Sequence, residues 1–121
     1  MLDTMLERLS AQSHLMRSVF LTILCMAAFL PGIAALPPLD RDESRFIQAT
    51  KQMAETGDYV DLRLQTEARY KKPIGIYWLQ SAALKLTGAD PQRDVWAYRL
   101  VSVAGATLSV LIIAALATMM F

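Results

Sequence analysis

The chain holds one cysteine and one histidine, Cys25 and His14, among its 121 residues. A single thiol excludes an internal disulfide framework, and a thiol set in an apolar run reads as inert. One His and one Cys also exclude a zinc centre assembled from several such ligands of this chain alone. An excess of charge of one sign is missing too. Twelve basic residues stand against 11 acidic ones, which leaves no broad basic footprint, so no nucleic-acid partner is expected. What is plentiful is apolar sequence, 55% of the chain, above the usual share for a soluble domain. It is gathered at the two ends.

Two runs are free of charge, Ser18–Leu39 (SVFLTILCMAAFLPGIAALPPL) and Leu100–Phe121 (LVSVAGATLSVLIIAALATMMF). A helix crossing the roughly 30 Å of hydrocarbon in a bilayer needs roughly 20 apolar residues. Each run is therefore expected to span a membrane. Pro31, Pro37 and Pro38 predict that the first span kinks and ends near its outer face. The first run also has traits of a signal peptide: Arg8 and Arg17 ahead of it and small residues over Gly32–Ala35. Its length exceeds the usual 7–15-residue apolar core, which favours an uncleaved anchor. The expected architecture is an all-α membrane protein. Residues 1–17 form a cytoplasmic N-terminus, 18–39 the first transmembrane helix, 40–99 a periplasmic loop and 100–121 a second transmembrane helix. The second run reaches Phe121 with no charged or aromatic flank, so the chain is expected to be a truncated piece of a larger protein.

The loop carries two helical signals. Around residues 42–56, Phe46, Ala49, Thr50 and Met53 recur at helical spacing, with Asp40 or Asp42 as cap, acids in the first turn and Gly57 as stop. "GDYVDLRLQTEARY" alternates weakly and suits an extended connection. Around residues 73–87, Pro73 opens and Gly88 closes a helix apolar on most faces, too short to span and suited to lie against a membrane or other helices. Tyr77 and Trp78 read as interface anchors, and Trp96, Tyr98 and Arg99 mark the headgroup level where the second span begins. Lys85 reads as a last-turn or snorkelling cation.

Two constellations carry candidate chemistry. Asp42 and Glu43 form an acid pair just outside the first run, suited to general-base work toward a hydroxyl or amine or to binding a metal. Adjacent helical residues point about 100° apart, so one acid can face a cavity while Arg45 holds the other. The alternative is helix capping in a solvated first turn. In "YKKPIGIYW", Lys71 and Lys72 precede a helix N-terminus whose free N–H groups attract anions, which makes a candidate phosphate site. Lipid headgroups are the alternative partner.

The order of these features resembles the start of the polytopic glycosyltransferases of the GT-C architecture. The segments that carry the resemblance are "LDRDESRFIQATKQMAETGDYV", "YKKPIGIYWLQSAALKLTG" and "AYRLVSVAGATLSVLI". They are most similar to aminoarabinose lipid A transferases and dolichyl-phosphate-mannose-protein mannosyltransferase-like proteins. The matching positions are Asp42, Glu43, Arg45, Phe46, Met53, Gly57, Asp58, Tyr59, Lys72, Pro73, Tyr77 and Trp78, and the likeness covers the chain from about Phe20. It implies a sugar moved from a polyprenyl-phosphate donor to a lipid A, glycan or protein acceptor on the periplasmic face of a bacterial inner membrane. Asp42, with Glu43 beside it, maps to the catalytic centre; Lys72 maps to the carrier phosphate, with Arg45 and Lys71 beside it.

Two departures bear on this. Lys71 stands where the family often has a glutamate linked to a metal in some members, and an ammonium is no metal ligand, so no metal ligand is assigned. Ile74 replaces the second proline. The family's later spans lie beyond this segment, which by itself is expected to be inactive. The competing reading is a small two-span membrane protein with a structural or partner-binding role.

Overall fold

The computed structural model describes the backbone of residues 2–120 and the side chains of residues 13–120; the ends expected for the first and last segments, Met1 and Phe121, lie outside the described residues. The chain is mostly helical, in the order α1 (Leu2–Phe29), α2 (Arg41–Thr56), β1 (Arg63–Leu64), β2 (Glu67–Ala68), α3 (Gly75–Thr87) and α4 (Val95–Met120). It divides into two units, Gly32–Ser102 and a second made of the segment up to Pro31 together with the segment from Val103 on.

Among the described residues, one helix, α4, is long and apolar enough to cross a membrane. Its apolar stretch begins where the sequence predicts, although the helix itself starts earlier, at Val95. The first apolar run is helical over only part of its length. Its helix stops at Phe29, and Leu30–Leu36 turn rather than continue. Gly32 takes a left-handed φ of 82°, which only glycine adopts freely, and Ala35 and Leu36 both donate to its carbonyl. The turn falls where Pro31 predicts the run to kink.

The Gly32–Ser102 unit is built on α2. Its stripe is the one expected: Ala49, Thr50 and Met53 are buried and Phe46 packs beside them. Gly57 ends the helix in the left-handed region, and its N–H donates to the Met53 carbonyl. The start differs from the simple cap. Asp40 sits at the N-cap position but its side chain makes no cap bond. Instead Glu43, in the first turn, reaches back to accept from the Leu39 N–H at 3.2 Å.

The expected extended connection closes into a two-stranded antiparallel hairpin, Arg63 opposite Ala68 and Leu64 opposite Glu67. Gln65 turns it at a positive φ of 59°. The side-chain amide of Gln52 on α2 holds that turn through both backbone groups of Gln65. It donates to the Gln65 carbonyl and accepts from the Gln65 N–H, each at 2.8 Å. Leu62, at the foot of β1, is buried against Ala49, Met53 and Tyr77.

α3 lies on α2 and the hairpin. Tyr77 is fully buried, which corrects its reading as an interface anchor: with Phe46 it forms a tilted ring pair 5.3 Å apart under the hairpin. Trp78 remains half exposed, with its indole N–H on the Tyr59 carbonyl. Thr50 donates to Gln80 at 2.6 Å inside the α2–α3 interface, and Ser81 reaches the Met53 sulfur. Further along, Leu84 packs with Ala97 and Tyr98 at the start of α4, and the Tyr98 hydroxyl donates to the Pro91 carbonyl.

Candidate functional site

The first turns of α2, the hairpin and the link from β2 to α3 wall a cleft of about 250 Å3. α2 contributes Asp42 and Arg45, the hairpin Leu64, Glu67 and Ala68, and the link Arg69, Lys71 and Lys72. Three local features bring these segments together. Gln52 fixes the hairpin turn on α2, Leu62 anchors its near strand in the core, and buried Tyr77 fixes the far end of the link. Four cations and two carboxylates therefore face one open space.

The floor of the cleft is ordered by Arg69. Its Nε donates to the Tyr77 hydroxyl at 3.2 Å, and its guanidinium lies 5.9 Å from the centroid of the Phe46 ring. A guanidinium held from below keeps its remaining N–H groups for a ligand, in the planar fork that suits phosphate. At the rim, Arg45 and Asp42 stand 3.8 Å apart as a loose, half-exposed ion pair, so Asp42 keeps its other lone pairs free.

The two acids of the expected pair diverge. Asp42 lines the cleft, whereas Glu43 turns toward Arg99 at the start of α4. Arg99 Nε donates to Glu43 at 2.6 Å, and the same guanidinium donates to the carbonyls of Ile33, Leu36 and Pro37. This strap ties the Gly32–Leu39 segment to α2 and α4. The Arg99 hydrogen bond, its charge and the Leu39 N–H hold the Glu43 carboxyl below its usual 4.5, against the smaller opposing effect of burial. Glu43 is thus a carboxylate with its acceptor sites taken up by the fold.

Of the residues singled out in the sequence, Asp42, Arg45, Lys71 and Lys72 meet in one cleft, although Asp42 and Lys72 are thirty positions apart. Glu43 lies outside it. Arg69 and Glu67 belong to the cleft and were not singled out, because that stretch read as a plain connection. The cue was present: Arg69 continues the basic run "RYKK".

A second polar cluster sits at the other end of the hairpin. Asp58 accepts from the Val60 and Asp61 N–H groups at 3.0 Å, and both bonds lower its pKa. Asp61 takes the Tyr70 hydroxyl and Arg63 Nε, which lower its own pKa, while the same Asp61 bond raises that of Tyr70. These are turn-forming contacts. Among the described residues, no group of three His, Cys, Asp or Glu side chains stands close enough to hold a metal ion.

Comparison with protein-family models, with curated proteins and with solved structures finds no match for this chain. Fold and cleft define a mostly helical chain with, among the described residues, one helix long and apolar enough to cross a membrane, and a cation-rich cleft in the Gly32–Ser102 unit.

Proposed function

We propose that this chain is the N-terminal segment of an integral membrane glycosyltransferase that takes a sugar from a polyprenyl-phosphate donor. The acceptor is a lipid A, glycan or protein group on the periplasmic face of a bacterial inner membrane, with both apolar runs in the bilayer and the Gly32–Ser102 unit outside it. The observation that carries this reading is the meeting of Asp42, Arg45, Lys71 and Lys72 in one cleft. Asp42, Arg45 and Lys72 are positions at which the sequence resembles the GT-C enzymes, and Lys71 is one at which it departs from them.

The chemistry follows from the residue types. Lys72, Lys71, Arg69 and Arg45 supply charge-assisted donors for the carrier phosphate, whose negative charge grows as the sugar departs. Asp42 removes the proton from the attacking hydroxyl or amine of the acceptor, and its loose pair with Arg45 leaves carboxylate lone pairs free to accept it. Glu43 supports this from behind by holding the first turn of α2 against Arg99. Later parts of such an enzyme close the cleft and exclude water.

Binding of undecaprenyl phosphate to the detergent-solubilised chain tests the proposal. Lys72→Ala is expected to weaken it at least tenfold, and undecaprenol, without the phosphate, to bind far more weakly. Equal affinity for the two lipids, or no change in Lys72→Ala, refutes the phosphate role. In a form competent for sugar transfer, Asp42→Asn abolishes turnover and leaves donor binding intact. A non-catalytic two-span membrane protein is the second reading. It is favoured by the commitment of Glu43 to the Arg99 strap, and equal binding of undecaprenyl phosphate and undecaprenol decides for it, whereas unchanged turnover in Asp42→Asn reduces Asp42 to a capping acid in the first turn of α2.

A further inference from the structure

In the unit formed by α1 and the later part of α4, the described basic side chains stand near one another on α1. Among its described side chains, Arg17 and His14 are the only basic ones, and no carboxylate accompanies them. Both face a hollow of about 350 Å3 whose other walls include Leu21 of α1 and Ala114, Thr118 and Met119 of α4. An overlapping opening of about 480 Å3 on the same side is again lined by His14 and Arg17 and adds Ala117.

The hollow exists because α4 presents alanines there, at 114, 115 and 117, where larger side chains would close against α1. The uncharged part of α4, from Leu100 to Met120, is about as long as the hydrocarbon core of a bilayer is thick. Its last turns therefore end at a headgroup layer, where the Arg17 side chain extends its charge while its stem stays on apolar surface. The site is thus basic at its rim and apolar along its wall. A free phosphate satisfies only the rim, and an uncharged lipid only the wall.

We propose that the hollow between α1 and α4 at Arg17 and His14 binds an anionic phospholipid, with its phosphodiester on the two basic side chains and an acyl chain along Leu21 and Ala114. Basic pockets between membrane helices recognise such headgroups. The site does not depend on the glycosyltransferase reading, since it shares no residue with the cleft at Asp42.

Native mass spectrometry of the whole chain, equilibrated with equal amounts of phosphatidylglycerol and phosphatidylcholine in mild detergent, tests this. Retention of phosphatidylglycerol is expected to exceed that of phosphatidylcholine at least about fivefold, the factor one basic side chain contributes near a membrane surface. Arg17→Gln should bring the ratio close to one, and Arg17→Lys should keep most of it. Ala114→Trp fills the hollow and should lower retention of both lipids while the basic residues stay in place; circular dichroism checks that each variant keeps its helices. Equal retention of the two lipids by the unaltered chain overturns the proposal. So does an unchanged ratio in Arg17→Gln, or unchanged retention in Ala114→Trp. Displacement of phosphatidylglycerol by acyl-free glycerol phosphate at equal concentration also overturns it, by showing a phosphate site alone.

Discussion

Replacing Arg99 by alanine removes four hydrogen bonds at once: one to Glu43 at 2.6 Å and three to the carbonyls of Ile33, Leu36 and Pro37 at 2.7–3.1 Å. The Glu43 bond is charge-assisted, and such bonds contribute about 1.5–3 kcal/mol. The pair is only partly buried, with 18% of the Arg99 side chain and 28% of Glu43 still accessible, so the lower half of that range applies. The three carbonyls lie near solvent and recover water, which leaves about 0.5 kcal/mol for each. The strap is therefore worth about 3 kcal/mol, or roughly a hundredfold in the local opening equilibrium. Hydrogen exchange reads this directly. The amides of Ala35, Leu36 and Leu39, whose bonds depend on this segment holding its shape, are expected to exchange about a hundredfold faster in Arg99→Ala. Amides in the middle of α2 and α3 serve as the internal control. Arg99→Lys, with a compact ammonium in place of the fork, should recover the Glu43 contact and at most one carbonyl. Exchange at those three amides within twofold of the unaltered protein refutes the reasoning and reduces the strap to a surface contact.

Three further outcomes are expected. The low pKa of Glu43 means the folded unit gains stability while this carboxyl is ionised; the gain is complete above the unfolded value near 4.5 and is lost as pH falls through the lower folded value. Acid unfolding of Glu43→Gln, followed by circular dichroism, should show a shallower slope below that value. The slope should remain finite, because Asp58 and Asp61 are also depressed. An unchanged slope removes Glu43 from the acid response. Gln80→Leu strands the buried Thr50 hydroxyl and should cost about 1–3 kcal/mol in chemical unfolding. The Thr50→Val/Gln80→Leu double variant should cost less than the sum of its parts, and strict additivity argues against the bond. Gly57→Ala meets no neighbour within 4 Å, so its cost of about 1 kcal/mol comes from the left-handed φ of 72° alone. A neutral effect shows that the helix ends without that turn.

Local pattern made much of this chain legible. The stripe Phe46, Ala49, Thr50, Met53 with Gly57 behind it announced α2, and Pro73 with Gly88 bracketed α3, because helix periodicity and left-handed stops are properties of neighbouring residues. The same logic located the apolar stretch of α4 and four of the residues that line the cleft. One boundary and one side-chain role needed the structure. The prolines predicted a kink in the first apolar run, and the left-handed turn at Gly32 set the end of its helix at Phe29. Tyr77 had the composition of a membrane-interface residue, but the hairpin gave its ring a dry site against Phe46.

The sequence by itself thus determined the helices, their stops and the concentration of cations in "RYKK". Periodicity, φ preferences and charge are written in adjacent residues. Only the tertiary structure decided which acid of "DE" is available. Asp42 and Glu43 are neighbours with the same chemistry, and nothing local separates them. Arg99, fifty-six positions away, occupies one, and the hairpin held by Gln52 brings Lys71 and Lys72 to the other. A contact across that distance depends on how α2, the hairpin and α4 pack, which no short window of sequence contains.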